Sequence, residues 1–525
     1  MFVRKKSNKS GSVSVQVVLK HNGRYRVIHT VGCAHSATDI EQMVEQGKKW
    51  ISEKAGPSLF DSNYDNAVLY DRAMNAISQN QLRLVGPDLV YGTLFDRIGY
   101  NKVQTKRNEL FRALVVTRLY RPKSKLRTVE YMSRFMHRHY SVDAVYRFLD
   151  DLCFRDDRRN GATNKQGYDV KYQVEQVSFE HTKNVMGGEV NVVFYDTTTM
   201  FFESREDDIR IPGYSKDGKH SNPQIVFGLL VGTGGNPIGY EIHRGNQYEG
   251  TTLIPIIEKM QKRFGLGKPT VIADAGLLNK QNVKELEDGG YRYILGARIK
   301  SQNQKLKDRI LGLNLQFGQT ATIDTDGRKL IITMSASRAK KNAADRERGL
   351  KRLRKSFSTG KLTKQHISKR GYNSLLSMEG DIKVVIDEEK IAQAARFDGL
   401  KGYYTNSDLP ADEIIDNYHY LHMIERAFRF NKTDLDIRPM YHHLINRIEA
   451  HICICFTAYT IMLELERILK AAGSDISLHQ AMFLAERIYA IDYVNPYDQL
   501  PKSTILRTEG DIQTQELLRA LGVSI

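Results

Sequence analysis

The sequence predicts a mixed α/β fold divided into several domains. One reason is texture: between about 188 and 297, near-continuous apolar runs ending in acids or turns alternate with stretches of helical periodicity. Another is length, because 525 residues exceed what one hydrophobic core usually organises. A 41% hydrophobic share beside 26% charged residues is that of an ordinary soluble globular protein. No stretch approaches the eighteen or so apolar residues of a membrane span. The opening MFVRKKSNKSGSVSV is basic but lacks the apolar core of a secretory signal, so a cytoplasmic location and no membrane partner are expected.

In chain order, SVSVQVVLK and RYRVIHTVG alternate apolar and polar residues around Asn22-Gly23, which predicts a β-hairpin with a tight primed turn. Thr38 and Glu41 offer a capping box for a helix to about Lys54. From about 105 to 186, LFRALVVTRLY, VEYMSRFM and VDAVYRFLDDL carry helical spacing, in short helices rich in Arg and aromatics. They could form a helix-turn-helix reader of DNA or a bundle that only packs. VNVVFYD then reads as a buried strand ending in an acid, followed by strands in PQIVFGLLV and PIGYEIHRGN. A helix over about 250–263 leads into TVIAD, a second apolar strand ending in an acid; a helix over about 279–288 precedes the strand YRYILGA. Three strands, helix, strand, helix, strand is the order of a ribonuclease-H-like fold.

Residues of about 300–405 interrupt that order with a β-rich insertion. It holds a hairpin at Asp326-Gly327, a basic helical arm, and strands in DIKVVIDEE and LKGYYTN. Helical texture resumes at Pro410, runs to about Asp436 and stops at Pro439, with a further helix over about 440–472. The domain reading is 1–55 for the hairpin and helix, 56–187 for the helical region, 188–475 for the α/β core with its insertion, and 476–525 for a helical tail.

The net charge of +17 makes polyanions the natural partner class. Residues 338–370 hold thirteen Lys or Arg against two acids and so supply +11 of it. The four cysteines are too few for a disulfide framework in a chain this long. Cys453 and Cys455, near His442, His443 and His451, raise a zinc site; the block HICICFTAYTIMLEL reads instead as a buried helix with cysteine as a small apolar residue.

Phosphodiester chemistry with two metal ions needs carboxylates converging from different elements. Asp196 and Asp274 each end an apolar strand in this reading. The third candidate is Glu425, in NYHYLHMIERAFRFNK, where Tyr418, Glu425 and Lys432 lie seven residues apart on one helical face with Arg429 one turn beyond Glu425. Taken alone, each acid is better explained as a turn, a cap or half of an exposed Glu–Arg pair.

The blocks VVFYDTTTM, TVIADAGLLN and YHYLHMIERAFRFNK together resemble the DDE transposases of bacterial insertion sequences of the insertion-sequence-four type. That group carries a helix pattern of Tyr, Arg, Glu and Lys or Arg; here Tyr418, Glu425 and Lys432 match at the right spacing, while Leu421 stands at the Arg position. GYSKDGKHSNPQIVFGLLV, GNQYEGTTL and RFDGLKGYYTN resemble the family's connecting segments, so the likeness covers about 190–470, with a weaker one in the N-terminal hairpin.

The resemblance implies a ribonuclease-H-like catalytic core, with Asp196, Asp274 and Glu425 holding Mg²⁺ or Mn²⁺, two ions in number. It implies cleavage and strand transfer of the element's own terminal inverted repeats, with no covalent enzyme–DNA intermediate. Double-stranded DNA, both transposon ends and target, is the partner, with a homodimer on DNA and a nucleoid-associated location. Tyr418, Arg429, Lys432 and Lys219 are the residues expected at the DNA. Two other readings share the same sequence: a metal-dependent nuclease without strand transfer, and a non-catalytic DNA-binding protein derived from a transposase.

Overall fold

The computed structural model describes the chain apart from residues 22–23, 56–80, 153–169, 204–205, 216–217, 219, 278, 326, 359–370, 380–382, 436–439, 441, 495–499, 507–510 and 525. The Asn22-Gly23 turn, Asp326, Lys219, Asp436, Pro439 and the end of the basic run fall outside the described residues. Two compact units form, one from residues 1–93, 124–142 and 465–525, the other from 94–123 and 143–464.

In the first unit, β1 (Phe2–Ser7), β2 (Val13–His21) and β3 (Arg24–Ala34) make an antiparallel sheet in the order β1-β2-β3. The sequence predicts only the last two strands. FVRKKS lacks clean alternation, yet it pairs with β2 from Phe2↔Val18 to Ser7↔Val13. The helix Ala37–Ala55 covers one face: His29 stacks on Trp50 with centroids 4.7 Å apart, and a Cβ on Gly47 would meet Val3 at 3.1 Å. That helix starts one residue before Thr38, with the Ser36 carbonyl accepting from the Ile40 amide, so Thr38 lies inside the first turn. A short strand β4 (Leu82–Leu84) follows.

The second unit is built on one large sheet. Its strands are β5 (Val192–Phe201), β6 (Gln224–Val231), β7 (Pro237–Arg244), β8 (Thr270–Ala273), β9 (Tyr293–Ala297), β10 (Thr320–Thr325) and β11 (Arg328–Met334). A hairpin of β12 (Leu376–Glu379) and β13 (Lys383–Ile386) stands apart before the last strand of the large sheet, β14 (Leu400–Thr405). The order is β10-β11-β14-β9-β8-β5-β6-β7. Within it, β5, β6 and β7 run antiparallel while β5, β8 and β9 run parallel. Order and directions of β7-β6-β5-β8-β9 are those of a ribonuclease-H-like core, as the element order predicts.

The insertion is not a separate layer. Its strand β14 pairs antiparallel with β9, β11 with β14, and β10 with β11, so the insertion lengthens the core sheet. A lone β9 edge would leave a row of unpaired backbone groups, and these strands take that row up. One face of the sheet buries Val193, Tyr195, Val271, Ala273, Tyr293 and Leu295 against Leu253, Ile256, Ile257 and Met260 of the helix Leu253–Phe264 and Val283 and Leu286 of the helix Lys280–Asp288. The opposite face is taken up by the helices Ala411–His419, beside β8 and β9, and Leu421–Arg429, beside β5.

Cys453 and Cys455 are fully buried in the helix Ile445–Ala471, as small apolar residues. In the first unit, the tail carries helices Leu478–Ala485 and Ile512–Ala520 and also two strands, β15 (Tyr489–Val494) and β16 (Pro501–Ile505), in the order β16-β15-β4. The strand character of YAIDYV depends on β4, some four hundred residues earlier, and so is invisible to a local reading. Among the described residues no helix is long and apolar enough to cross a membrane.

Candidate active site

Strand register assembles the site. In the parallel pair of β5 and β8, Tyr195 lies opposite Ala273. One step on, Asp196 and Asp274 are therefore side by side, with neighbouring strands about 4.8 Å apart. Because side chains alternate, and Tyr195 and Ala273 enter the core beneath, both aspartates belong to the other face. The same row continues outward: Ala273 opposes Leu295 of β9, which aligns Asp274 with Gly296; Gly296 opposes Tyr403 of β14; and Asp196 opposes Leu229 of β6. Tyr403, Gly296, Asp274, Asp196 and Leu229 thus cross one sheet face in line.

Asp274 follows immediately after β8, as expected, and its carboxylate is solvent-exposed. Asp196 does not end its strand. β5 continues through Thr197, Thr198 and Thr199 to Phe201, because β-branched threonines suit a paired strand and β6 supplies the partner. The half-buried Asp196 carboxylate accepts a 2.7 Å hydrogen bond from the Thr197 amide.

Gly296 is the gap in the row. A Cβ there would lie 2.4 Å from the Tyr418 hydroxyl, so the missing side chain is what admits the phenol. Tyr418, on the helix Ala411–His419, is 5% exposed and donates to Asp274 Oδ1 at 3.0 Å. Burial raises its pKa strongly, and the neighbouring Asp274 charge adds to that, so it stays a donor. Expected at the DNA, Tyr418 is instead buried against an acid.

Sequence reasoning also missed Lys401. Alternation along β14 puts Lys401 on the Tyr403 face, and its ammonium lies 4.2 Å from the Tyr418 ring centroid and 5.1 Å from that of Tyr403. Burial depresses its pKa to about 8, helped by Arg338 at the start of the basic helix, while Asp274 and Glu425 pull the other way. Lys401 therefore senses both acids through space. RFDGLKGYYTN held the signal: in a strand, residues 401, 403 and 405 share one face.

Glu425 lies on the helix Leu421–Arg429, whose Leu421, Ile424, Ala427 and Phe428 are buried while Glu425 and Arg429 are exposed. The single helical face expected to join Tyr418, Glu425 and Lys432 is interrupted twice. The chain tightens at Tyr420, where Met423 donates to the Tyr420 carbonyl, and it widens into a π-turn over Phe430–Asp434 that holds Lys432. Each change shifts the phase of a seven-residue spacing. Among the described residues, no group of three or more His, Cys, Asp or Glu is gathered closely enough to hold an ion. The two aspartates are thus brought together by register, and Glu425 approaches their neighbour Lys401 without completing a trio.

The donor set suits a hard divalent cation: carboxylate oxygens on a rigid sheet, one of them oriented by a phenol that leaves the second oxygen of Asp274 open.

The family model described as the transposase DDE domain matches residues 191–461. No curated protein matches the chain. Among solved structures, the cryo-EM synaptic complex of piggyBac transposase with hairpin DNA is similar, with a TM-score of 0.41, 11% identity, and coverage of 82% of this chain and 81% of that one.

Proposed function

The chain belongs to the transposase DDE domain family and is a DNA transposase; on that premise we propose that Asp196, Asp274 and Glu425 are its catalytic acids and that it cuts and joins the ends of its own bacterial insertion sequence, one of the insertion-sequence-four type. The observation that carries this reading is the register that aligns Asp196 with Asp274 on one sheet face. Asp196 and Asp274 would hold Mg²⁺ or Mn²⁺, two ions in number, with Glu425 joining from the facing helix. When bound, such ions stabilise the attacking and leaving oxygens of an in-line displacement at phosphorus.

The protein's own groups do the rest. Tyr418 fixes the rotamer of Asp274 through its hydroxyl, acting on the acid and not on DNA. Lys401, seated on two tyrosine rings beside the acids, holds a phosphate of the reacting strand, and Arg429 and Lys432 contact phosphates further along. A DNA 3′-hydroxyl then replaces water as nucleophile in strand transfer, and no residue bonds covalently to DNA. Terminal inverted repeats are the recognised ends, and a homodimer brings two of them together.

A strand-transfer assay with labelled end DNA and Mg²⁺ tests this. Joined product is expected. Cleavage without joining would reduce the protein to a nuclease, and binding alone would remove the catalytic assignment. Light scattering of the protein–DNA complex checks the dimer.

A further inference from the structure

The first 38 residues contain seven Lys or Arg and no acid; the first carboxylate is Asp39, already inside the helix that follows. The three-stranded sheet built from them has one covered face and one open one. Cross-strand pairs sort the side chains: Val3, Val17 and His29 lie in one row on the covered face, where His29 stacks on Trp50. The neighbouring row, Arg4, Gln16 and Thr30, belongs to the other face, as do Lys6 and the pair of Lys20 with Tyr25.

On that open face Arg4 donates to Gln16 Oε1 at 3.0 Å, and the Tyr25 ring, 52% exposed, has Arg4 at 5.8 Å and Lys20 at 5.5 Å from its centroid. These contacts gather Arg4 and Lys20 around the exposed Tyr25 ring.

We propose that this open face binds duplex DNA in the major groove. Two neighbouring strands about 4.8 Å apart fit a groove about 12 Å wide. Arg, Gln and Thr are side chains that reach base edges there, and the absence of any acid removes the repulsion that phosphates would otherwise meet. Duplex RNA is a poor fit, because its major groove is too narrow and deep for side chains to read. The biological role, recognition of the element's own ends, rests on the transposase reading; the binding itself does not.

The test uses the full chain and a fluorescein-labelled DNA duplex taken from the sequence bordering the coding region. Combined Arg4→Gln, Lys6→Gln and Lys20→Gln substitutions should weaken binding roughly ten-fold and flatten the salt dependence by up to about 0.9 in log–log slope per lost phosphate contact. Lys48→Gln with Lys54→Gln, on the covering helix, should leave it unchanged. In the wild-type chain, 5-iodouracil in the duplex should crosslink to Tyr25, a readout that needs no variant to fold. Unaltered affinity in the triple variant, an equal loss in the helix variant, no crosslink at Tyr25, or equal affinity for an RNA duplex of the same sequence would each overturn the proposal. Metal-dependent nicking of a supercoiled plasmid keeps the two readings apart. Sheet-dependent binding by a chain that does not nick leaves this proposal standing and removes the catalytic one, and nicking by a chain whose binding ignores the sheet does the reverse.

Discussion

The large sheet and the N-terminal sheet use the same backbone pairing for opposite purposes. In β6 of the large sheet every position from Gln224 to Val231 is buried, whereas nearly all of β3 from Arg24 to Cys33 is exposed or half-exposed. Cover on both faces makes a strand read as an unbroken apolar run, and it fixes any acid set among such strands to within the tolerance that metal-assisted chemistry needs. Cover on one face leaves alternation, and the open side can carry flexible cations that adapt to a phosphate backbone. Rigidity therefore belongs with Asp196 and Asp274, and adaptability with Arg4, Lys6 and Lys20. Substitutions that move one property without the other are the way to break this contrast.

The largest effect is expected from Asp274→Asn. It removes a ligand charge from the rigid row yet keeps an oxygen that can accept from Tyr418, so packing is spared. Metal-dependent cleavage should fall to near the detection limit while DNA binding stays within a few-fold. Cleavage near the wild-type rate in a gel assay would take Asp274 out of the site.

Next in size is Gly296→Ala, which tests whether the row is as tight as its register implies. The added methyl would meet the Tyr418 hydroxyl and, at 3.0 Å, the Ala275 amide nitrogen next to Asp274. Overpacking of this kind costs about 1–3 kcal/mol, and moving the phenol would free the Asp274 carboxylate to rotate. Lowered melting temperature and slowed cleavage are both expected. Adding Tyr418→Phe should restore part of the stability, since the closest clash is with the oxygen, but not the rate, since the donor is gone. A double variant no more stable than Gly296→Ala alone would show that the gap serves something other than the hydroxyl.

A smaller effect is expected on the helix Ala336–Ser358, whose Lys351, Arg352, Arg354 and Lys355 are all exposed. Replacing these four with Gln should weaken DNA binding across sequences and flatten its salt slope, by up to about 0.9 per phosphate contact. Cations of this helix pair with its own acids, as Arg348 does with Asp345 and Arg354 with Glu347, so they offer charge and not base-edge contacts, and sequence preference should survive the change. A fluorescence titration at several salt concentrations with end and shuffled duplexes reads both quantities. An unchanged slope would mean a solvated face only.

Which parts were legible in the sequence follows the same division. Apolar runs ending at Asp196 and Asp274 announced the core strands, because burial on both faces writes itself into consecutive residues. That β5 continues past Asp196 did not show, since Thr197–Thr199 owe their strand character to pairing with β6. Gly296 and Lys401 escaped for a related reason. Their meaning comes from residues on neighbouring strands and a helix more than a hundred positions away, and no local period records a cross-strand row. The spacing from Tyr418 to Lys432 was legible as helix, but the tightening at Tyr420 and the widening after Arg429 depend on tertiary packing and altered the shared face. β1 was missed because its exposed, basic residues carry no apolar signal.

The smallest predicted effect lies in the third sheet, where β15 is tied to β4 by ions as well as by apolar packing. Arg83 donates from Nε and Nη2 to the Asp492 carboxylate at 2.9 and 3.1 Å, and His137 approaches the same carboxylate at 3.3 Å. The Arg83 hydrogen bonds are the main cause holding the Asp492 pKa well below the ordinary carboxylate value of 3.8. A carboxylate whose folded pKa is depressed contributes stability that is complete above its unfolded pKa and disappears as pH falls towards the folded value. With both side chains about one-third exposed, solvent screening limits that contribution to about 0.5–1 kcal/mol. Asp492→Asn should therefore lower the melting temperature slightly at pH 6, and the gap between the two proteins should begin to close only below about pH 3.8. Melting curves of both proteins across that window read the difference directly, which cancels the carboxylates they share. A gap that persists undiminished to the lowest pH would mean that Asp492 acts through its shape and neutral hydrogen bonding, and that this sheet, like the large one, is held by packing and not by charge.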